Sequence, residues 1–256
     1  MPPVSHFRMV AYLVFASMPL VDGAASPEPG GRNDVLYQVS TLGELFVGGY
    51  DGRLSFRSLT NHGNFGLGTF DRLDGEMVAF DGQFFQVTAD GAATRVPPSA
   101  TTPFAAVTFF QPDDVFELEG PMPCSELGGA IAGRFPSEEL LYAIRVEGAF
   151  TSLRTRSVPA QEKPYVPLED ALRGQIVFDF AFADATLAGF WFPPDFADVN
   201  VTGFHFHALT KDRTSGGHVL DCDVLDVTVA IDQTNELQVR LGRPEARGSS
   251  RRGLHP

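Results

Sequence analysis

Lysine is almost missing from this 256-residue chain, which carries it only at Lys163 and Lys211. Arginine does not make up the deficit: 19 basic residues stand against 32 acidic ones, for a formal net charge of -13. A phosphate-backbone binder normally shows a basic face, so nucleic acid is disfavoured as a partner. The shortage of lysine itself reads as codon bias and not as function. Cysteine is equally scarce, with Cys124 and Cys222 alone and neither in a C-x-x-C pair, which removes a cysteine zinc site. Whether the two form a disulfide or remain buried thiols is open, because sequence does not show how closely their Cα atoms approach. No apolar run is long enough to span a bilayer comfortably; the best, Met9 to Val21, has thirteen residues. Internal repeats are absent, and so is an H-E-x-x-H helix motif with its metalloprotease base.

What is present suits one large or two small globular units: 43% hydrophobic and 20% charged residues, with 23 phenylalanines. The start of the chain has the order of a secretory signal. His6 and Arg8 precede the apolar run, and Gly23, Ala24, Ala25 and Ser26 follow it, so export with cleavage after Ala25 is expected. The competing reading is an N-terminal extension with an accidental apolar run. Residues 1–25 are thus a signal peptide and 26–34 a loose lead. The mature protein would be secreted or periplasmic, without a membrane anchor; an uncleaved chain would be cytoplasmic.

Beyond the lead, Val35–Gln38 reads as a strand, and Ser40 caps a helix through Val47. A second short helix covers Leu54–Leu59. Asp74-Gly75 and Asp81-Gly82 read as tight turns of a meander spanning Asn64–Val87. Val107–Phe110 is a further strand, Pro121–Arg134 is loop or short helix, and Ser137 has an N-cap signature. Later strands are read at Tyr142–Glu147, Phe150–Ser157, Gln175–Phe182, Thr186–Phe192, Val201–Leu209 and, as the last, His218–Ile231. Leu168–Arg173 is a short helix. The fold class is mixed α/β and β-rich, with a few short helices, in two lobes divided near residues 111–140 of a domain covering 35–240.

Three of the six histidines fall within fourteen residues, at His205, His207 and His218. Alternate residues of a strand share a face, so His205 and His207 project together and Phe204 and Phe206 lie behind. The polar stretch Lys211–Gly217 ends in Gly-Gly and lets the chain return antiparallel, with His218 opening the second strand of the hairpin. Three imidazoles leave a tetrahedral ion an open position, the pattern of catalytic zinc. On spacing alone a His-x-His strand often binds nothing, and imidazole also suits copper, iron and nickel.

The motifs together resemble the α-acetolactate decarboxylases. The resemblance rests on Tyr37-Gln-Val-Ser-Thr41, His62-Gly-Asn-Phe-Gly-Leu-Gly-Thr69, Leu73-Asp-Gly-Glu-Met77, Phe80-Asp-Gly82, Tyr142-Ala-Ile-Arg145, Thr155-Arg-Ser-Val158, Gly203-Phe-His-Phe-His207 and Asp212-Arg-Thr-Ser-Gly-Gly-His-Val-Leu-Asp221. It covers residues 35 to 240. It implies a single Zn2+ on His205, His207 and His218, with Arg156, Glu76 and Thr69 in the catalytic site. It also implies two mixed β-sheet domains in a homodimer, and decarboxylation of 2-acetolactate to acetoin and CO2, a step of acetoin and butanediol biosynthesis. Without the resemblance, Arg156 reads as a surface residue and Glu76 as a turn-flanking one. The chain departs from the family at its end. Residues 241–256 are basic and poor in large apolar side chains, which predicts a disordered tail. No position there matches the family's terminal glutamate. A catalytically weakened zinc-binding relative is therefore the alternative to a fully active enzyme. An unrelated zinc hydrolase and a non-catalytic β-rich binding domain are the remaining readings.

Overall fold

The computed structural model describes residues 34–241. The expected signal peptide, the lead up to residue 33 and the tail from residue 242 lie outside the described residues. Along the chain come β1 (Val35–Val39), α1 (Leu42–Phe46), β2 (Leu54–Ser55), α2 (Phe56–Leu59), β3 (Phe65–Thr69), β4 (Glu76–Phe80), β5 (Gln83–Val87), β6 (Ala93–Arg95), β7 (Thr101–Thr102) and β8 (Ala105–Thr108). Next are β9 (Asp114–Pro123), α3 (Cys124–Ala132), β10 (Leu141–Ser157), α4 (Leu168–Leu172), β11 (Ile176–Phe192), β12 (Gly203–Thr210), β13 (Gly216–Thr234) and β14 (Glu236–Arg240). The architecture is β-rich with four short helices among the described residues, as the sequence implied.

A seven-stranded sheet has the order β14-β1-β8-β3-β4-β5-β6, and a five-stranded sheet the order β10-β11-β12-β13-β9, with β10 also paired to β13. The two pack on a shared core. Leu36, Phe65, Leu67 and Val78 of the first sheet form one buried cluster with Phe190 and Phe192 of the second. A second cluster, built on Tyr142, Ile144, Phe150 and Val229, lies behind the five-stranded sheet and includes Phe206.

Local chemistry explains most of the elements. Asp81 and Gly82 both take positive φ, 52° and 75°, and close the two-residue hairpin between β4 and β5. At α1 the cap is one residue later than read: Thr41 Oγ1 accepts from the Glu44 N–H, while Ser40 sits at φ 64° and donates its N–H to the Arg240 carbonyl. The second expected helix is shorter, because Leu54 and Ser55 pair with β7 before Phe56 starts α2. Asp74-Gly75 is not a tight turn on its own; a 3-10 turn at Asp71–Leu73 precedes it. Ser137 caps no helix. Its Oγ accepts from the Glu139 N–H in a local turn that leads into β10, and the helix of this region is α3.

The larger corrections concern length and pairing. The two strand pairs read at 142–157 and 175–192 are single 17-residue strands, β10 and β11. Register shifts at Ala149/Phe150 and Phe150/Ser152, and a positive φ of 51° at Phe182, break the alternation without ending the strands. His218–Ile231 is not the last strand: β14 follows and adds in parallel to β1, Val35 opposite Glu236. Cys124 at the start of α3 and Cys222 on β13 form a disulfide, Cα–Cα 4.9 Å, which settles the pairing that the sequence left open.

Candidate metal centre

The hairpin β12–β13 forms as its spacing requires. His207 stands directly opposite His218, and His218 in turn stands opposite Arg156 on β10. Arg156, His218 and His207 thus make one row across three strands. Two glycines permit this row. Gly217 takes φ 131°, and a Cβ there would lie 2.5 Å from the Arg156 carbonyl oxygen. Gly189 on β11 receives the Phe206 ring, which a Cβ would meet at 2.1 Å, so Phe206 packs away from the histidine face. The first sheet supplies the facing wall. Thr69 on β3 and Glu76 on β4 are cross-strand partners and are both buried.

The three imidazoles converge. His205 Nε2 lies 3.1 Å from His218 Nδ1, and His207 Nε2 lies 3.3 Å from the same atom. One ligand nitrogen from each ring falls within 4.8 Å of the others. A tetrahedral zinc with nitrogen bonds of about 2.0–2.1 Å has ligand–ligand edges of about 3.3–3.4 Å, close to the two spacings that His218 Nδ1 makes. His207 Nδ1 is 2.8 Å from the Met77 carbonyl oxygen and donates to it, which fixes the tautomer and turns the Nε2 lone pair inward. His205 lacks such an anchor: its Nδ1 is buried without a hydrogen-bond partner. Burial pushes all three imidazoles down, His207 to about 3, and the Arg156 charge adds to the effect. Neutral rings are the form that offers lone pairs to a cation.

Glu76 and Arg156 meet beside the histidines. Arg156 Nη1 donates to Glu76 Oε1 at 2.8 Å, with side-chain exposures of 13% and 8%. Glu76 Oε2 lies 3.5 Å from His207 Nε2. Burial raises the Glu76 carboxyl, and the Arg156 charge and hydrogen bond pull against that rise. The Thr69 hydroxyl donates to the Gly75 carbonyl at 2.7 Å, so its lone pairs are what it offers the site.

These six residues line one cavity of about 80 Å³, closed by apolar side chains that include Leu42, Leu45, Phe104 and Leu168. All six sequence candidates therefore come together. The apolar wall and the Met77 carbonyl were not read from the sequence. Leu42 and Leu45 do have the i, i+3 spacing of one helix face, but nothing local says what that face covers. The motif residue His62 stands elsewhere and stacks on Tyr37, ring centroids 3.7 Å apart.

The alpha-acetolactate decarboxylase family model matches residues 36–247. The alpha-acetolactate decarboxylase of Methanosarcina mazei is 48% identical over 203 residues, 79% of this chain and 70% of that one. That of Bacillus licheniformis is 43% identical over 215 residues, 84% and 85% of the two chains. Among solved structures, the alpha-acetolactate decarboxylase of Bacillus subtilis strain 168 superposes with a TM-score of 0.81 at 39% identity, covering 82% of this chain and 90% of that one.

Proposed function

Because this chain belongs to the alpha-acetolactate decarboxylase family, we propose that it converts 2-acetolactate to acetoin and CO2 with a zinc ion held by His205, His207 and His218. The observation that carries the metal is the convergence of three imidazole nitrogens, from the buried His205 and His207 and the half-buried His218, with spacings of 3.1 and 3.3 Å. All three rings are held neutral by burial.

2-Acetolactate bears a carboxylate and a hydroxyl on one carbon and a ketone on the next. When the bond to the carboxylate carbon breaks, its electron pair must move onto the keto oxygen. A zinc ion bound at the histidines supplies Lewis acidity toward charge of that kind. The chain's own residues do the rest. Arg156 commits Nη1 to Glu76, and its remaining N–H groups have no acceptor among the described residues, so they receive the substrate carboxylate. The carbon that loses CO2 must then gain a proton. Glu76, with its carboxyl raised by burial, holds and returns a proton at Oε2, the oxygen turned toward His207. Thr69 accepts from the substrate hydroxyl, because its own hydrogen is spent on Gly75. The apolar wall keeps bulk water from the reacting carbons.

Metal analysis and an acetoin assay on the purified full-length chain test this together. About one zinc per chain is expected, with acetoin formation lost on chelation and restored by Zn2+. Undiminished activity in metal-free protein would overturn it. Two further readings belong here. Export is supported by the N-terminal apolar run and by the Cys124–Cys222 disulfide, since oxidising compartments retain such bonds; mass spectrometry should find a mature start near Ser26. A homodimer is supported by the outer edge of β11, where residues 176–184 lack a second partner strand among the described residues and Ile176, Val177 and Phe182 are exposed. Light scattering tests that reading.

A further inference from the structure

We propose that the hollow between α2 and the β4–β5 hairpin is a second binding site, one that takes a small organic carboxylate with an apolar body. Its volume is about 340 Å³, within the range of about 300–1,000 Å³ usual for small-molecule sites. Phe56, Phe84 and Val96 supply apolar lining, and Arg57 and Arg95 supply charge. No aspartate or glutamate lines it, although the chain has a net charge of -13.

Most of the described cations are matched by an acid. Arg53, Arg134, Arg145, Arg154, Arg156, Arg173, Lys163 and Lys211 all pair with carboxylates. Among the described residues Arg57, Arg95 and Arg213 have no carboxylate partner, and neither have Arg240 or Arg72, whose Nε donates to the Gln161 carbonyl. Arg95 and Arg213 instead both donate to one neutral acceptor, Oε1 of Gln83, a residue that lines the hollow. Both guanidiniums also stand over the Phe85 ring, 5.9 and 5.5 Å from its centroid. Two like charges gathered on one amide oxygen and one ring repel each other, and an anion between Arg57 and Arg95 offsets that repulsion. The aromatic and aliphatic lining selects a carboxylate that carries hydrocarbon over a bare inorganic anion. None of these residues lines the histidine cavity, so the site is independent of the decarboxylation chemistry.

The test is a calorimetric or NMR titration of benzoate into the full-length chain at constant chloride. Saturable binding in the millimolar range is expected. The Arg57→Gln/Arg95→Gln double variant should weaken it about tenfold or more, the scale of lost hydrogen bonds to a charged group. Arg156→Lys should leave it unchanged, and the double variant should keep its acetoin activity, which shows that it folds; Arg57→Gln alone serves if it does not. Absence of saturation, undiminished binding by the double variant, loss of binding in Arg156→Lys, or equally effective displacement by inorganic phosphate would each overturn the proposal.

Discussion

Arg156 is the residue on which the two halves of the site depend, and replacing it by lysine separates their contributions. It stands opposite His218 in the β10–β13 register and donates Nη1 to Glu76 Oε1 at 2.8 Å. Arg156→Lys keeps the positive charge that offsets the buried Glu76 but loses the planar fork. The stability cost should therefore be about 1–2 kcal/mol, the scale of one charge-assisted hydrogen bond. Arg156→Ala strands the carboxylate and should cost about 3–5 kcal/mol, limited by protonation of Glu76, whose carboxyl burial already raises. The rate is governed by a different effect. Arg156 is a preorganised donor aimed at the substrate's charge, and loss of one such donor lowers kcat by about 10²–10³-fold. Zinc content should not change, because none of the three imidazoles is altered. Acetoin formation, metal analysis and thermal unfolding on the same preparation read all three. A lysine variant running at the parental rate would refute the bidentate role, and one that loses its zinc would refute the separation of metal binding from substrate orientation.

Three further outcomes are expected. His207→Ala should lose both zinc and activity, since it removes one of three ligands together with the ring that Met77 orients; a variant with full zinc content would contradict the ligand set. Gly217→Ala places a Cβ 2.5 Å from the Arg156 carbonyl at a backbone φ of 131°, a strain of about 1–3 kcal/mol. It should weaken zinc retention against a chelator, and unchanged retention would mean that His218 is not held by this close approach. Asp232 gives a pH dependence. Burial is the main cause that raises its carboxyl from 3.8 to about 7; the Asp113 and Asp34 charges add to it, and the Gln111 N–H opposes it. The folded chain therefore holds a proton there that the unfolded chain has released, between about pH 4 and 7. That contribution to stability is fully present below about pH 4 and is lost as pH rises through about 7. Asp232→Asn should accordingly stabilise the protein by about 1–2 kcal/mol at pH 8, allowing for solvent screening, and by little at pH 4. Denaturant unfolding showing equal gains at both values would refute it.

Much of the site was legible because it rests on short-range regularities. The two-residue period of a strand set His205 and His207 on one face, and the polar turn at 211–215 returned the chain so that His218 met them. Asp81-Gly82 closed a hairpin because those residues tolerate positive φ. Resemblance to a known family, and not periodicity, singled out Arg156, Glu76 and Thr69. What tertiary structure alone decided depends on contacts between distant segments. Arg156 and Glu76 are 80 residues apart, and only the packing of one sheet on the other brings them to 2.8 Å and buries them. Cys124 and Cys222 pair across 98 residues. Strands β10 and β11 run unbroken through irregularities that end the local alternation, because their partners hold them on both sides of each bulge. β14 exists as a strand because β1, two hundred residues earlier, offers it a free edge. Side-chain alternation is a property of neighbours in sequence, whereas register, burial and the pKa values that burial shifts are properties of what lies across the gap, and no local pattern encodes the partner.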